Sequence, residues 1–269
     1  MIFTNLSEKC EYYRSLTDYR LSQNEPIMVM IDGKNFSKLI KNRFEKPFDD
    51  WFISAMNKTA EHLCKNIQNC IGAFVQSDEI SLIIKNSSMT SSPFDGRICK
   101  LQSIIPAMAT AFFNRELMRR HIEMEDAGNP EYVASESMKQ YLDKMPDYVF
   151  DCKVWNVPND NDAMAWIIYR QIDCIRNSKQ QFCQTYLSHK ELMKLNTDEQ
   201  CALCLERTGN DWNSISDDKK YGRILYKELV EFRTDDGDPY FRSKWITSSG
   251  MLTDKNYRTE IIGKLFKCE

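Results

Sequence analysis

Blocks of apolar and polar residues along the chain predict an order of elements. Residues 7–22 read as a polar helix, and "IMVMID" at 27–32 is a short, continuously apolar run of the kind a buried strand makes. From 49 to 69, Trp51, Phe52, Ala55, Met56, Ala60, Leu63 and Ile67 recur at helical spacing, with Asp49 or Asp50 as N-cap after Pro47. "IGAFVQSDEISLIIKN" (71–86) sets two apolar runs around "QSDE", which predicts a β-hairpin with its acids at the turn. A serine-rich loop at 86–96 leads into a helix from about 97 to 120, with Ile98, Leu101, Ile105, Met108 and Phe112 on one side. Pro106 implies a kink, or a break near Ile105. Residues 121–147 are polar and acidic, an inserted and exposed segment, and "YVFDCKVWNVP" (148–158) is a strand.

The order β-α-β-β-α-β is the split βαβ of ferredoxin-like folds, so the fold class is α+β. That topology lays the first strand beside the hairpin, and Asp32 at the strand's end can then lie near Asp78 in the turn. Beyond 158 the pattern predicts a helix over 160–187 carrying Trp166, Arg170, Asp173 and Arg176. A second helix follows near 198–207, with Thr197 and Gln200 as a capping box. "RILYKELVEFRTDDGDPYFRSKWIT" alternates as a β-hairpin around Asp236-Gly237. Two regions follow: a core at 1–158 with its N-terminal helix and acidic insertion, and a helical and hairpin region at 159–269 packed on it.

The chain has 269 residues, 42% hydrophobic and 28% charged, with no apolar stretch near the ~20 residues a membrane helix needs. Its N-terminus has neither an apolar signal core nor an Arg-rich, acid-free presequence, so a cytoplasmic, membrane-free protein is expected. Ten scattered cysteines then read as reduced thiols. Cys201 and Cys204 form the one CxxC, and with no second pair it reads as helix-core thiols rather than zinc ligands. The net charge of −3 and pI of about 5.8 give no general support to a nucleic-acid partner, so that case rests on local clusters.

One such cluster surrounds the paired acids. Asp32 and Asp78, with the carbonyl of Gly33, make a hard oxygen site suited to Mg²⁺, which binds through one or two carboxylates and leaves room for phosphates and water. Two such ions about 3.5–4 Å apart can hold both the attacking and the leaving oxygen of a phosphoryl displacement. Lys34, Lys38, Lys41, Arg43 and Lys46 follow the first acid, and Arg97 and Lys100 open the second long helix. Cations in this form suit triphosphates. The plainer alternatives are two ordinary turns and a solvated basic loop.

"IDGKNFSKL", "FEKPFDD" and "QSDEISLIIK", in order and at similar spacing, resemble the tRNA-His guanylyltransferase family, including its 3′–5′ polymerase-like members. "RICK" (97–100), "FDCKVW" (150–155) and "YRQIDCIRNS" (169–178) extend the resemblance over roughly 24–190. It implies a catalytic core like the palm of polymerases that extends the 5′ end of tRNA. The 5′ phosphate is activated with ATP or GTP, and the 3′-hydroxyl of an incoming nucleoside triphosphate then attacks it. Asp32 and Asp78, with Gly33, would hold two Mg²⁺ ions, and Glu79 matches the family's second hairpin acid. Lys34, Asn35, Phe36, Ser37 and Ser77 would cradle nucleotide. Lys46 and Asp49 match the Lys-Pro-x-Asp segment, and Arg97 and Lys100 match triphosphate-binding positions. A homotetramer and an RNA-binding C-terminal region follow from the same resemblance. Ile175 stands where the family has histidine, Lys34 where it has Arg, and Ser37 where it has His. The family's later Lys-Asn-Glu segment is also blurred here, as "KKYGRILY" (219–226). The loss of this region and of the one around Ile175, which in the guanylyltransferases proper serve recognition of the His anticodon and the incoming nucleotide, favours the branch that repairs 5′-truncated tRNA by template-directed addition. A guanylyltransferase proper, a palm-fold nucleotide cyclase and a non-catalytic RNA- or nucleotide-binding module remain the alternatives.

Overall fold

The computed structural model describes residues 3–39, 44–87, 89–126, 147–234 and 237–266. Most of the predicted acidic insertion, with Lys41, Arg43 and Asp236, lies outside the described residues. A polar helix α1 (Leu6–Ser15) buries none of its residues and stops earlier than its composition suggests. Six strands form one antiparallel sheet: β1 (Ile27–Gly33), β2 (Cys70–Gln76), β3 (Glu79–Ile84), β4 (Phe150–Asn156), β5 (Arg223–Arg233) and β6 (Pro239–Ser248). Their order is β4-β1-β3-β2-β5-β6. The first four are the expected ferredoxin-type core. β5 pairs with β2, so the same sheet runs on past residue 158 into the C-terminal hairpin.

Helices cover both faces, because β1 alternates between two apolar environments. Ile27, Val29 and Ile31 pack with Phe52, Met56 and Leu63 of α3 (Asp50–Asn66) and with Leu101, Ile105 and Phe113 of α4 (Ile98–Asp126). The short helix α2 (Phe36–Leu39) precedes them in the chain. On the opposite face, Met28, Phe74 and Ile83 meet Met164 and Ile167 of α5 (Asp160–Tyr186). A satellite cluster of Phe182, Leu187, Leu192, Cys204 and Trp212 joins the end of α5 to α6 (His189–Leu192) and α7 (Thr197–Thr208). The one-turn helix α8 (Asp217–Tyr221) leads into β5, and α9 (Lys255–Phe266) closes the second face with Ile261 and Leu265. No helix among the described residues is long and apolar enough to cross a membrane.

Several sequence expectations are corrected. α4 runs through Pro106 to Asp126, taking in the first residues of the expected insertion. Its core stripe steps by four, through Leu101, Ile105, Ala109, Phe113 and Leu117. Phe112 lies off that stripe and stacks on His62. α7 is capped one residue earlier than its sequence suggests: Asn196 is the N-cap, with Glu199 completing the box. Gln200 instead turns inward to the Leu195 carbonyl at 3.0 Å. α9 carries no strong periodicity and was not anticipated. Every described cysteine is a free thiol, and Cys201 Sγ lies 3.7 Å from Cys183 Sγ.

Candidate active site

The site is built where β1 leaves the sheet. Asp32 is the partner of Glu79 on one side and of Asp151 on the other, so three carboxylates meet at one sheet end. Asp32 shares the face of Met28, which is the face covered by α5. After it the chain must turn at once. Gly33 N–H donates to the Asp78 carbonyl at 3.2 Å, and Lys34 N–H donates to Val149 at 2.8 Å. A Cβ on Gly33 would lie 2.5 Å from the Phe36 ring, so the close approach of that ring requires glycine. Asn35 and Ser77 both adopt positive φ, 61° and 42°, and these two turn residues set the loops on either side of the acids.

Asp32 and Asp78 form no ion pair among the described residues. Burial first, and then the charges of Glu79 and Asp151, hold the Asp32 carboxyl above its ordinary range. Burial, and then Asp32, push Asp78 up to about 6. Two carboxylates held above their ordinary range by burial and by neighbouring acids are short of a cation. Among the described residues no group of three His, Cys, Asp or Glu side chains is arranged to hold a metal. A pair of carboxylates is nevertheless the donor set Mg²⁺ takes when phosphates complete its shell. Asp32, Asp78 and the adjoining Gly33 therefore fit that ion.

Glu79 has a different situation. It is 6% exposed, and Arg170 of α5 grips it with both ends of the fork: Nε to Oε1 at 2.7 Å and Nη2 to Oε2 at 2.5 Å. Arg170 also reaches Asp173 at 3.1 Å. Glu79 is thus neutralised from inside the protein, while Asp32 and Asp78, like the exposed Asp151, have no ion pair among the described residues.

Two cavities share that pair as a common wall. One, of about 330 Å³, runs inward past Phe44, Phe48 and Phe52 to Cys174, Lys219 and Arg223. The other, of about 510 Å³, is lined by Gly33, Asn35, Ser37, Lys46 and Ser77 with Gln181 and Gln184 of α5. Phe36 also borders the second cavity, but its ring is 1% exposed and packs among Phe52, Phe113, Tyr148 and Phe150. Its side chain anchors the loop, and only its backbone is left to meet a ligand. Asp49 lines the first cavity, yet its carboxylate caps α3, accepting from Phe52 N–H at 2.8 Å and Glu45 N–H at 2.9 Å. Lys34 and Lys38 are exposed beside the second cavity's loop.

Arg97 and Lys100 are placed elsewhere. Because β3 runs against β1, its end at Ile84 lies beside Ile27. The loop to α4 stays there, bound to the 19–21 segment through Leu21 N–H to Gly96 and Ile98 N–H to Tyr19, both 2.9 Å. Asp32 is five strand residues further on, roughly 17 Å away. Within one copy of the chain these two cations do not reach the acid pair. The residues that sequence reasoning left out of the site are Arg170, Lys219, Arg223 and the α5 amides. Of these, Arg170 had a signal in "YRQIDC", and Lys219 and Arg223 stand in "KKYGRILY", where the family's Lys-Asn-Glu segment is blurred.

A six-stranded sheet with an acid pair at one end and two cavities beside it defines a palm-like nucleotidyl-transfer fold. Comparison with known proteins reaches the same class. The family model Thg1, tRNAHis guanylyltransferase, matches residues 7–158. The chain belongs to this family, whose members are tRNA nucleotidyltransferases, and it is an enzyme of that kind. A probable tRNA(His) guanylyltransferase of Dictyostelium discoideum is 26% identical over 84% of each chain. A bacterial tRNA(His) guanylyltransferase (Thg1)-like protein, solved in complex with ATP, superposes with TM-score 0.77 at 25% identity, covering 96% of this chain and 98% of that one. The tRNA(His) guanylyltransferase of Saccharomyces cerevisiae shares the fold, with TM-score 0.61 at 23% identity over 80% and 91% of the two chains.

Proposed function

We propose that this chain is a Mg²⁺-dependent 3′–5′ nucleotidyltransferase that repairs 5′-truncated tRNA, adding nucleotides opposite a template base after activating the 5′ phosphate with ATP or GTP. The observation that carries this reading is the shared wall: Asp32 and Asp78 face both cavities, so one acid pair can serve two phosphate-bearing ligands at once. Mg²⁺ held there by Asp32 and Asp78, beside Gly33, supplies neutralisation of phosphate charge. The protein's part is positioning. The loop from Gly33 to Ser37 turns its backbone toward one ligand, with Lys46 across the cavity. The three phenyl rings and the buried polar groups of the other cavity hold a nucleoside. The bacterial relative solved with ATP supports a nucleotide as one of the ligands.

The template-directed reading draws on Ile175. It packs against the cluster around Phe182 and Trp212, so at this position the chain offers an apolar group and no hydrogen-bonding side chain. Choice of nucleotide then falls to base pairing. A set of 5′-monophosphorylated tRNAs tests this, intact or lacking the first nucleotide, with His and non-His anticodons, incubated with Mg²⁺, ATP and the four nucleoside triphosphates. Template-matched extension of the truncated tRNAs whatever the anticodon is the expected result. Addition of G to His-anticodon tRNA alone would overturn the repair reading and leave the guanylyltransferase proper.

A further inference from the structure

α5 and α7 bring two thiols into contact, and the transfer chemistry uses neither. Cys183, in the last turn of α5, is 0% exposed, and its thiol donates to Cys201 Sγ of α7 at 3.7 Å. Cys201 is half-buried, so the pair is open to a small reagent from its side. The contact is fixed by what surrounds it. One turn before Cys183, Lys179 pairs with Asp198 of α7 at 2.5 Å. Phe182, Leu192, Cys204 and Trp212 form the apolar cluster in which Cys183 sits. Burial, and then the neighbouring sulfurs of Cys201 and Cys204, push the Cys183 thiol well above its ordinary range. Burial raises Cys201 as well, but there the hydrogen bond from Cys183 and the charge of Lys179 pull the other way. The two sulfurs therefore differ in access and in environment, one suited to attack and the other to resolve.

We propose that Cys183 and Cys201 are an oxidisable pair that closes to a disulfide between α5 and α7 when the protein meets a peroxide. The Cys201 thiolate attacks one peroxide oxygen, the O–O bond breaks, and water leaves with the thiol's proton, giving a sulfenic acid at Cys201. The Cys183 sulfur then attacks Cys201 Sγ, the S–O bond breaks, and a second water leaves with the Cys183 proton. The two thiols lose two electrons, and the O–O bond gains them. The sulfurs close from 3.7 Å to the ~2.05 Å of a disulfide, across helices already held together by an ion pair and an apolar cluster. A dithiol reductant reverses the step. Gln181 and Gln184 lie on either side of Cys183 and line the second cavity, so the bond clamps the helix end that forms its wall. The inference stands on these thiols alone and does not depend on which reaction the acid pair performs.

Oxidation of the reduced full chain with a small excess of hydrogen peroxide tests this, followed by alkylation and peptide mass spectrometry without reductant. A Cys183–Cys201 linked peptide is the expected product, lost on treatment with dithiothreitol. It forms roughly ten times faster at pH 8 than at pH 7, because the attacking species is the thiolate. The oxidised protein melts about 5 °C higher than the reduced one, since the cross-link constrains the unfolded chain. Cys201→Ser shows neither the peptide nor the rise. Cys183→Ala stops at the Cys201 sulfenic acid, which dimedone traps. A link from Cys201 to Cys204 in place of Cys183 would overturn the proposal. So would a dimedone adduct on Cys201 in the wild type with no link, or an oxidised protein that melts no higher than the reduced one. If Cys183→Ala does not fold by circular dichroism, the wild type and Cys201→Ser decide.

Discussion

Replacing Arg170 by Met tests whether Glu79 is neutralised from within. Arg170 and Glu79 are 13% and 8% exposed at their side chains and are joined by two bonds of 2.7 and 2.5 Å. Removing the guanidinium leaves a buried carboxylate beside Asp32, its strand partner. Breaking a buried pair from one side costs about 3–5 kcal/mol, because the remaining charge stays desolvated. Asp173 loses less, since Arg176 still contacts it. Urea unfolding at pH 7 should therefore show a loss of about 3–5 kcal/mol in Arg170→Met. The double variant Arg170→Met/Glu79→Leu should recover most of it, since no charge is then left unpaired. The loss should also shrink toward acid pH: an unpaired buried carboxylate has a raised folded pKa, so protonation relieves it. A single-variant loss below about 1 kcal/mol, or no recovery in the double variant, would refute the pairing as the neutralising device.

Asp78→Asn should stabilise the metal-free protein at pH 7 by about 1–3 kcal/mol and flatten its pH profile. The folded pKa of about 6 exceeds the unfolded value, so the wild type gains stability as pH falls from about 6 toward 4; Tm against pH measures this. Gly33→Ala should cost about 1–3 kcal/mol, since its Cβ meets the Phe36 ring at 2.5–2.7 Å; a thermal melt unchanged by the substitution would contradict that contact.

The core elements were legible because each carries a strong period. β1, the "QSDE" hairpin and α3 stand where their apolar residues put them, and the strand order follows from the βαββαβ sequence. The pairing of Asp32 with the hairpin was readable for the same reason. What escaped is long-range. Arg170 meets Glu79 across 91 residues, and Arg223 meets Asn57 across 166, with no local pattern to announce either. Phe112 and Phe113 differ by one residue, and only the packing of α4 on β1 decides which faces inward. Arg97 and Lys100 looked close to the site by motif. The direction of β3 fixes their loop at the other end of the sheet, a consequence topology contains and spacing does not.

The most direct test of the central claim is 5′ extension of a truncated, 5′-monophosphorylated tRNA with Mg²⁺, ATP and nucleoside triphosphates, comparing wild type with Asp32→Ala and Asp78→Ala. The account predicts extension by the wild type that chelation abolishes, and its loss by at least two orders of magnitude in each folded variant. Extension by either variant at the wild-type rate would contradict the assignment of the acid pair as the metal site.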